Sequence, residues 1–330
     1  MINSVCGVWD ADTAIQQGAI SASEKPRAVH ASERPPAVHE RRGYQYGILV
    51  APESCVATMG LVEIVVLAIV QGLTEFLPVS SSGHLVVASA LLETLGYSLP
   101  PDDELLALEV VLHIGTLLAI LVYFRREVWA LAGSDQRLVP LLVVGTIPAV
   151  LIGLPLKYLA SDVLVSPLLA GCMFPVTGLL LIWASRQPEG TAPYRELGYG
   201  RTIFIGLWQS LALLPGVSRS GATISAGLAC GLDRRSAGVF AFLLGIPAMA
   251  GAGALEIAEL AKRYWEGEAT TSGATHPALL ALGLFVSMLV GLLALAWLIR
   301  WVERGRLTLF AWYLFPLGAA VVAWQLMLLR

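Results

Sequence analysis

The chain has 330 residues, of which 56% are hydrophobic and only 14% charged, and its mean hydropathy is +0.72. Soluble domains carry about 25% charge, so a protein wetted on every side is excluded and a membrane bundle is expected. The net charge of −3 offers no basic surface for nucleic acid, and Cys6, Cys55, Cys172 and Cys230 lack the spacing of a zinc site or a disulfide framework.

Residues 1–58 are polar, contain prolines and show no helical period. They read as a disordered extension, with Met59 as an alternative start. From residue 59 to 330 a single membrane domain is expected. A spanning helix needs about 20 apolar residues. Leu105–Phe124, Leu138–Leu159, Leu164–Ser185, Ala237–Ala261, Ala278–Ile299 and Leu307–Leu328 meet that length and are predicted spans. Leu61–Leu77, His84–Leu95, Ile203–Leu214 and Ala222–Gly231 are shorter, and form two pairs that flank Pro/Gly/Ser-rich breaks. Interrupted short segments in corresponding places point to re-entrant helix pairs. Irregular backbone at membrane depth persists only where protein or a wet cavity satisfies it.

The two breaks resemble each other. Aligning Gln71–Gly83 with Gln209–Gly221 without gaps matches Gln71 with Gln209, Leu73 with Leu211, Val79 with Val217, Ser80 with Ser218, Ser82 with Ser220 and Gly83 with Gly221. Duplication is the simplest origin, with halves of about 59–185 and 201–330. Arg125, Arg126, Arg137, Arg186, Arg195, Arg201, Arg234, Arg235, Arg300, Arg304 and Arg306 mark loops expected in the cytoplasm, whereas Asp102, Asp103 and Glu104 mark an outer loop. With six spans the pairs then enter from opposite faces. The expected architecture is therefore an all-α integral membrane protein of six transmembrane helices and two re-entrant pairs in an inverted-topology repeat.

The breaks concentrate the polar chemistry. Gln71-Gly-Leu-Thr-Glu-Phe-Leu-Pro-Val-Ser-Ser-Ser-Gly-His84 places Glu75, Ser80, Ser81, Ser82 and His84 in an apolar context, with Gln71 and Glu75 one helical turn apart. A carboxylate at membrane depth is costly and persists when paired or functional. In Pro215-Gly-Val-Ser-Arg-Ser-Gly-Ala-Thr223, Arg219 is the one charge between Arg201 and Asp233, so it needs an anion. Its fork suits carboxylate or phosphate. Ser218, Ser220 and Thr223, with a helix expected from about Gly221, add donors for a phosphate cradle. Ser81, Ser80 or His84 can serve as nucleophile, Glu75 or His84 can move protons, and Arg219 can hold the charge. Glu109 and His113, also one turn apart, are expected to pair structurally, with support of the site from behind as the alternative. Trp265, Trp301 and Trp312 read as interfacial anchors.

These segments together resemble the bacterial undecaprenyl-pyrophosphate phosphatase family linked with bacitracin resistance. That family's (E/Q)xxxE motif stands here as Gln71 to Glu75, its P-V-S-S-[ST]-G-H as Pro78 to His84, and its PGxSRSxxT as Pro215 to Thr223. The resemblance covers about residues 59–330. It implies hydrolysis of undecaprenyl pyrophosphate to the monophosphate and inorganic phosphate at the outer face of the bacterial plasma membrane. That activity recycles the lipid carrier of peptidoglycan synthesis. It also implies Mg²⁺ or Ca²⁺ as cofactor, with Glu75 a candidate ligand, and no organic cofactor. Carried over by motif position, Glu75, His84 and Arg219 are essential, Ser81 is the proposed nucleophile, and Ser80, Ser218 and Thr223 contact substrate; Gln71, Ser82 and Ser220 beside them are further candidate substrate contacts. Gln71 replaces the glutamate of many members, which weakens the case for a metal between two motif carboxylates. The partners implied are the polyprenyl lipid and the membrane, with a homodimer left open. The alternative from the residues is a transporter or flippase of a polyprenyl phosphate, which needs the anion cradle but no nucleophile.

Overall fold

The computed structural model describes residues 60–96, 102–266 and 276–328, so the expectation for residues 1–58 lies outside it. The described residues are almost wholly helical. Helices α1 (Leu61–Thr74) and α2 (Ser81–Thr94) form the first short pair. Then come α3 (Asp102–Tyr123), α4 (Arg125–Leu131), α5 (Leu138–Leu159), α6 (Ser161–Leu164) and α7 (Pro167–Ser185). A 3₁₀ turn at Tyr194–Glu196 precedes the second short pair, α8 (Tyr199–Leu211) and α9 (Arg219–Ala229). Helices α10 (Arg234–Trp265), α11 (Pro277–Glu303) and α12 (Thr308–Leu328) complete the chain.

Six of these helices, α3, α5, α7, α10, α11 and α12, are long and apolar enough to cross a membrane. They coincide with the six predicted spans, and α5 matches to the residue. Helices α10 and α11 run further than their apolar stretches. The Asp233 side chain accepts the Ser236 N–H at 2.8 Å and so starts α10 among arginines. Large apolar side chains such as Leu151 (67%) and Leu293 (68%) are exposed, as a lipid-facing exterior requires. This is a multi-pass all-α membrane protein.

The helices pack in a crossed manner. The first short pair lies on α11 through α1, while the second lies on α5 through α8. Helices α7 and α12 pair with each other, and α3 packs on α11 and, less extensively, on α10, so elements from the two ends of the chain interleave. Close approach depends on small residues. A side chain at Gly206 of α8 would collide with the backbone carbonyl of Gly145 on α5. Because the obstacle is backbone, Gly206→Val is expected to destabilise the protein by about 1–3 kcal/mol. Thermal unfolding in detergent against wild type measures it, and an unchanged melting temperature would refute this account of the α5–α8 contact.

Candidate active site

Helix α1 ends one residue before Glu75, whose N–H closes the last turn on the Gln71 carbonyl at 2.9 Å. That fixes Gln71 and Glu75 on one face. The Gln71 amide Nε2 donates to Glu75 Oε2 at 3.0 Å. Ser81 Oγ, at the start of α2, donates to the same oxygen at 2.6 Å. Arg219, the first residue of α9, donates through one terminal nitrogen to Glu75 Oε1 at 2.6 Å. Its other terminal nitrogen donates to the Gly245 carbonyl at 3.1 Å. The side chains of Glu75 and Arg219 are only 5% and 19% exposed. A buried carboxylate is tolerable when a cation and hydrogen bonds neutralise it, and here three donors converge on one carboxylate.

The two breaks interlock through their serines. Ser80 caps α2, its Oγ accepting the Gly83 N–H at 3.3 Å. It also accepts the Gly216 N–H from the second break at 3.1 Å. Ser218 caps α9 in the same way, accepting the Gly221 N–H at 3.0 Å. Each cap has a second serine two residues on: Ser80 and Ser82 lie 3.4 Å apart, Ser218 and Ser220 3.1 Å apart. Ser80 holds φ at 73°, a left-handed conformation uncommon outside glycine, so the first break stores backbone strain beside the carboxylate. A Cβ at Gly83 would sit 2.7 Å from the Gly216 nitrogen, so this glycine is what lets the breaks touch.

A cavity of about 640 Å³ opens beside the cluster. Glu75, Ser80, Ser81, Ser82, Ser218 and Arg219 lie on its wall. The other expected residues lie off it. Gln71 sits behind Glu75, fully buried. Ser220 Oγ donates to the Leu77 carbonyl at 3.3 Å, and Thr223 Oγ1 donates to the Arg219 carbonyl at 2.8 Å. His84 turns elsewhere: Nδ1 lies 2.7 Å from the Ser80 carbonyl, Nε2 lies 2.8 Å from Tyr313 Oη, and its ring packs on Phe174.

The family model described as bacitracin resistance protein BacA matches residues 64–320. The chain belongs to this family. An undecaprenyl-diphosphatase of Rhodopirellula baltica is 47% identical over 262 residues, 79% of this chain and 97% of the relative. Undecaprenyl-diphosphatase 4 of Bacillus thuringiensis is 37% identical over 268 residues, 81% and 98% of the two chains. An undecaprenyl-diphosphatase of Desulfatibacillum aliphaticivorans is 40% identical over 292 residues, 80% and 98%.

Two further residues belong to this BacA-family site, one expected from the sequence only as an alternative and one not expected at all. Among the described residues no hydrogen bond joins the His113 ring to the Glu109 carboxylate. The ring Nδ1 lies 2.8 Å from the Glu109 carbonyl, while Nε2 faces Glu75 Oε2 at 4.0 Å from the cavity wall. That placement agrees with the alternative of support for the site, the backbone taking one nitrogen and leaving the other facing Glu75. Thr177 of α7 ties down the second break, donating to the Gly216 carbonyl at 2.8 Å and accepting the Ser218 N–H at 3.0 Å. No local pattern marks that threonine. Among the described residues no three His, Cys, Asp or Glu side chains gather as a metal site. Glu75 is the carboxylate beside Arg219, with serine hydroxyls and the His113 ring around it.

Proposed function

We propose that this protein hydrolyses undecaprenyl pyrophosphate to undecaprenyl phosphate and inorganic phosphate, recycling the carrier for cell-wall synthesis and conferring bacitracin resistance. The observation that carries the mechanism is one carboxylate shared by a serine hydroxyl and an arginine, each 2.6 Å away, on a cavity wall. Ser81 Oγ attacks the terminal phosphorus as its proton passes to Glu75 Oε2. The bond from that phosphorus to the bridging oxygen breaks, and the electron pair and proton leave with the lipid monophosphate. Water then attacks the phosphoserine as Glu75 takes its proton, the bond from phosphorus to Ser81 Oγ breaks, and Glu75 returns the proton to that oxygen as inorganic phosphate leaves. Arg219 shares its fork between Glu75 and the phosphate oxygens, where charge builds in both steps. Ser80 and Ser218 hold the two helix N-termini toward the anion. His84, bonded to the Ser80 carbonyl, braces the strained break from behind.

The donor set also bears on the metal. Mg²⁺ is commonly held by one or two carboxylates together with substrate phosphates. Glu75 fits that mode, and an ion there would neutralise charge on the pyrophosphate oxygens.

The re-entrant, inverted arrangement belongs to the same proposal. Matching serine caps and the crossed packing of α1 on α11 and α8 on α5 support it. Access from the outer face is supported by the cavity reaching Lys157 and Glu256, far along α5 and α10 from Arg137 and Arg234. Gly153, Val150 and Leu213 on its wall offer an apolar path for the lipid tail.

Purified protein is expected to release one inorganic phosphate per undecaprenyl pyrophosphate. EDTA should suppress release, and Mg²⁺ or Ca²⁺ should restore it. Binding of the lipid without release would instead favour a carrier. Full activity in EDTA would remove the metal from the scheme.

A further inference from the structure

Gln209 is the residue that the mechanism leaves without a task. It stands in the second break where Gln71 stands in the first, near the end of α8. Gln71 gives its amide to Glu75, four residues on. Four residues after Gln209 the chain has Leu213, so the equivalent carboxylate is missing. Gln209 is nevertheless 3% exposed, and neither its Nε2 nor its Oε1 has a hydrogen-bond partner. A primary amide closed off from water with both ends empty is costly, and such groups normally find partners. Thr202, two turns earlier on the same face of α8, also has an unpartnered hydroxyl, but it does not border the cavity. Gln209 does, together with Ser81, Ser218 and Arg219.

We propose that Gln209 is a substrate contact that binds the pyrophosphate head group. Turned from just beneath the wall into the cavity, its Nε2 donates to a non-bridging phosphate oxygen of the anion held by Arg219. Its Oε1 accepts from a protonated phosphate oxygen or from a water bound to it. The duplicated glutamine has thereby exchanged a carboxylate of the protein for an anion of the substrate. The assignment rests on the phosphatase reading above and names a further residue of that site.

The test compares wild type with Gln209→Leu, which keeps the volume and removes both polar ends, and Gln209→Asn, which keeps the amide but shortens its reach. Farnesyl pyrophosphate in detergent gives KM and kcat, inorganic pyrophosphate gives a competitive inhibition constant, and thermal unfolding reports folding. For Gln209→Leu, KM and the inhibition constant are expected to rise about tenfold to a hundredfold, the loss for a hydrogen bond to a charged group. The fall in kcat should be smaller than the rise in KM, since the contact serves substrate and transition state alike. The melting temperature should hold or rise. Unchanged KM and inhibition constant with a raised melting temperature would make Gln209 a buried orphan and overturn the proposal. Should Gln209→Leu fold poorly, Gln209→Asn decides on the same two constants. If wild type cuts no substrate, the phosphatase reading fails separately. Calorimetric binding of inorganic pyrophosphate then decides for Gln209, with weaker binding by the leucine variant supporting the contact and equal binding refuting it.

Discussion

Arg219→Ala is expected to lower phosphate release from undecaprenyl pyrophosphate by at least about a thousandfold. Loss of a single oxyanion donor already costs about 10²–10³ in rate, and Arg219 brings a full charge as well as its donors. The same substitution strips Glu75 of its cation. Breaking a buried pair from one side costs about 3–5 kcal/mol, so lowered stability could pass for lost catalysis. Two companions separate the effects. Arg219→Lys keeps the charge and loses the fork, which here spans Glu75 Oε1 and the Gly245 carbonyl, so it should recover part of the rate. The double variant Glu75→Gln, Arg219→Ala removes the stranded carboxylate, so its melting temperature should recover while its activity does not. The measurements are phosphate release and thermal unfolding on the same preparations. A well-folded Arg219→Ala within tenfold of wild type would remove Arg219 from the chemistry.

Much of this site was legible because charge is so rare in the chain. Glu75 and Arg219 stood alone in apolar stretches, and each needed a counter-charge. The structure pairs them across 144 positions of sequence. Helix α5 was legible to the residue because its apolar stretch and its hydrogen-bonded length coincide. Helix α10 was not, since hydropathy marks the lipid-embedded part while the Asp233 cap and the Lys262–Trp265 turn extend the helix beyond it. Helices α4 and α6 were missed because they are too short to register as apolar stretches.

The orientation of side chains was harder to see. Ser81 and His84 looked interchangeable as nucleophiles, both in the first turn of one helix. What distinguishes them comes from elsewhere: Glu75 reaches Ser81, while Phe174 and Tyr313, from α7 and α12, hold His84. Gln209 had a signal, as its alignment with Gln71 was plain. Only the missing partner at Leu213, seen together with the cavity, turns that internal resemblance into a candidate contact.

Ser81→Ala and Glu75→Gln are each expected to lower kcat by about 10³–10⁴. A positioned base contributes about 10²–10⁴, and without the hydroxyl the covalent route is closed. Because the two groups act as one unit through a single 2.6 Å hydrogen bond, their losses should not add. The double variant should be about as slow as the worse single one, and a further loss near the product of the two would mean independent roles. The two substitutions differ in what they leave behind. Glu75→Gln leaves Ser81 able to accept phosphate slowly and leaves the phosphoserine hard to hydrolyse. Acid quenching during turnover, followed by mass spectrometry of the peptide containing Ser81, should therefore find more phosphate there than in wild type. Ser81→Ala should carry none. A Ser81→Ala enzyme within tenfold of wild type would exclude serine attack. With His84 held away from the cavity by Tyr313, direct attack by water activated on Glu75 would then become the route the geometry allows.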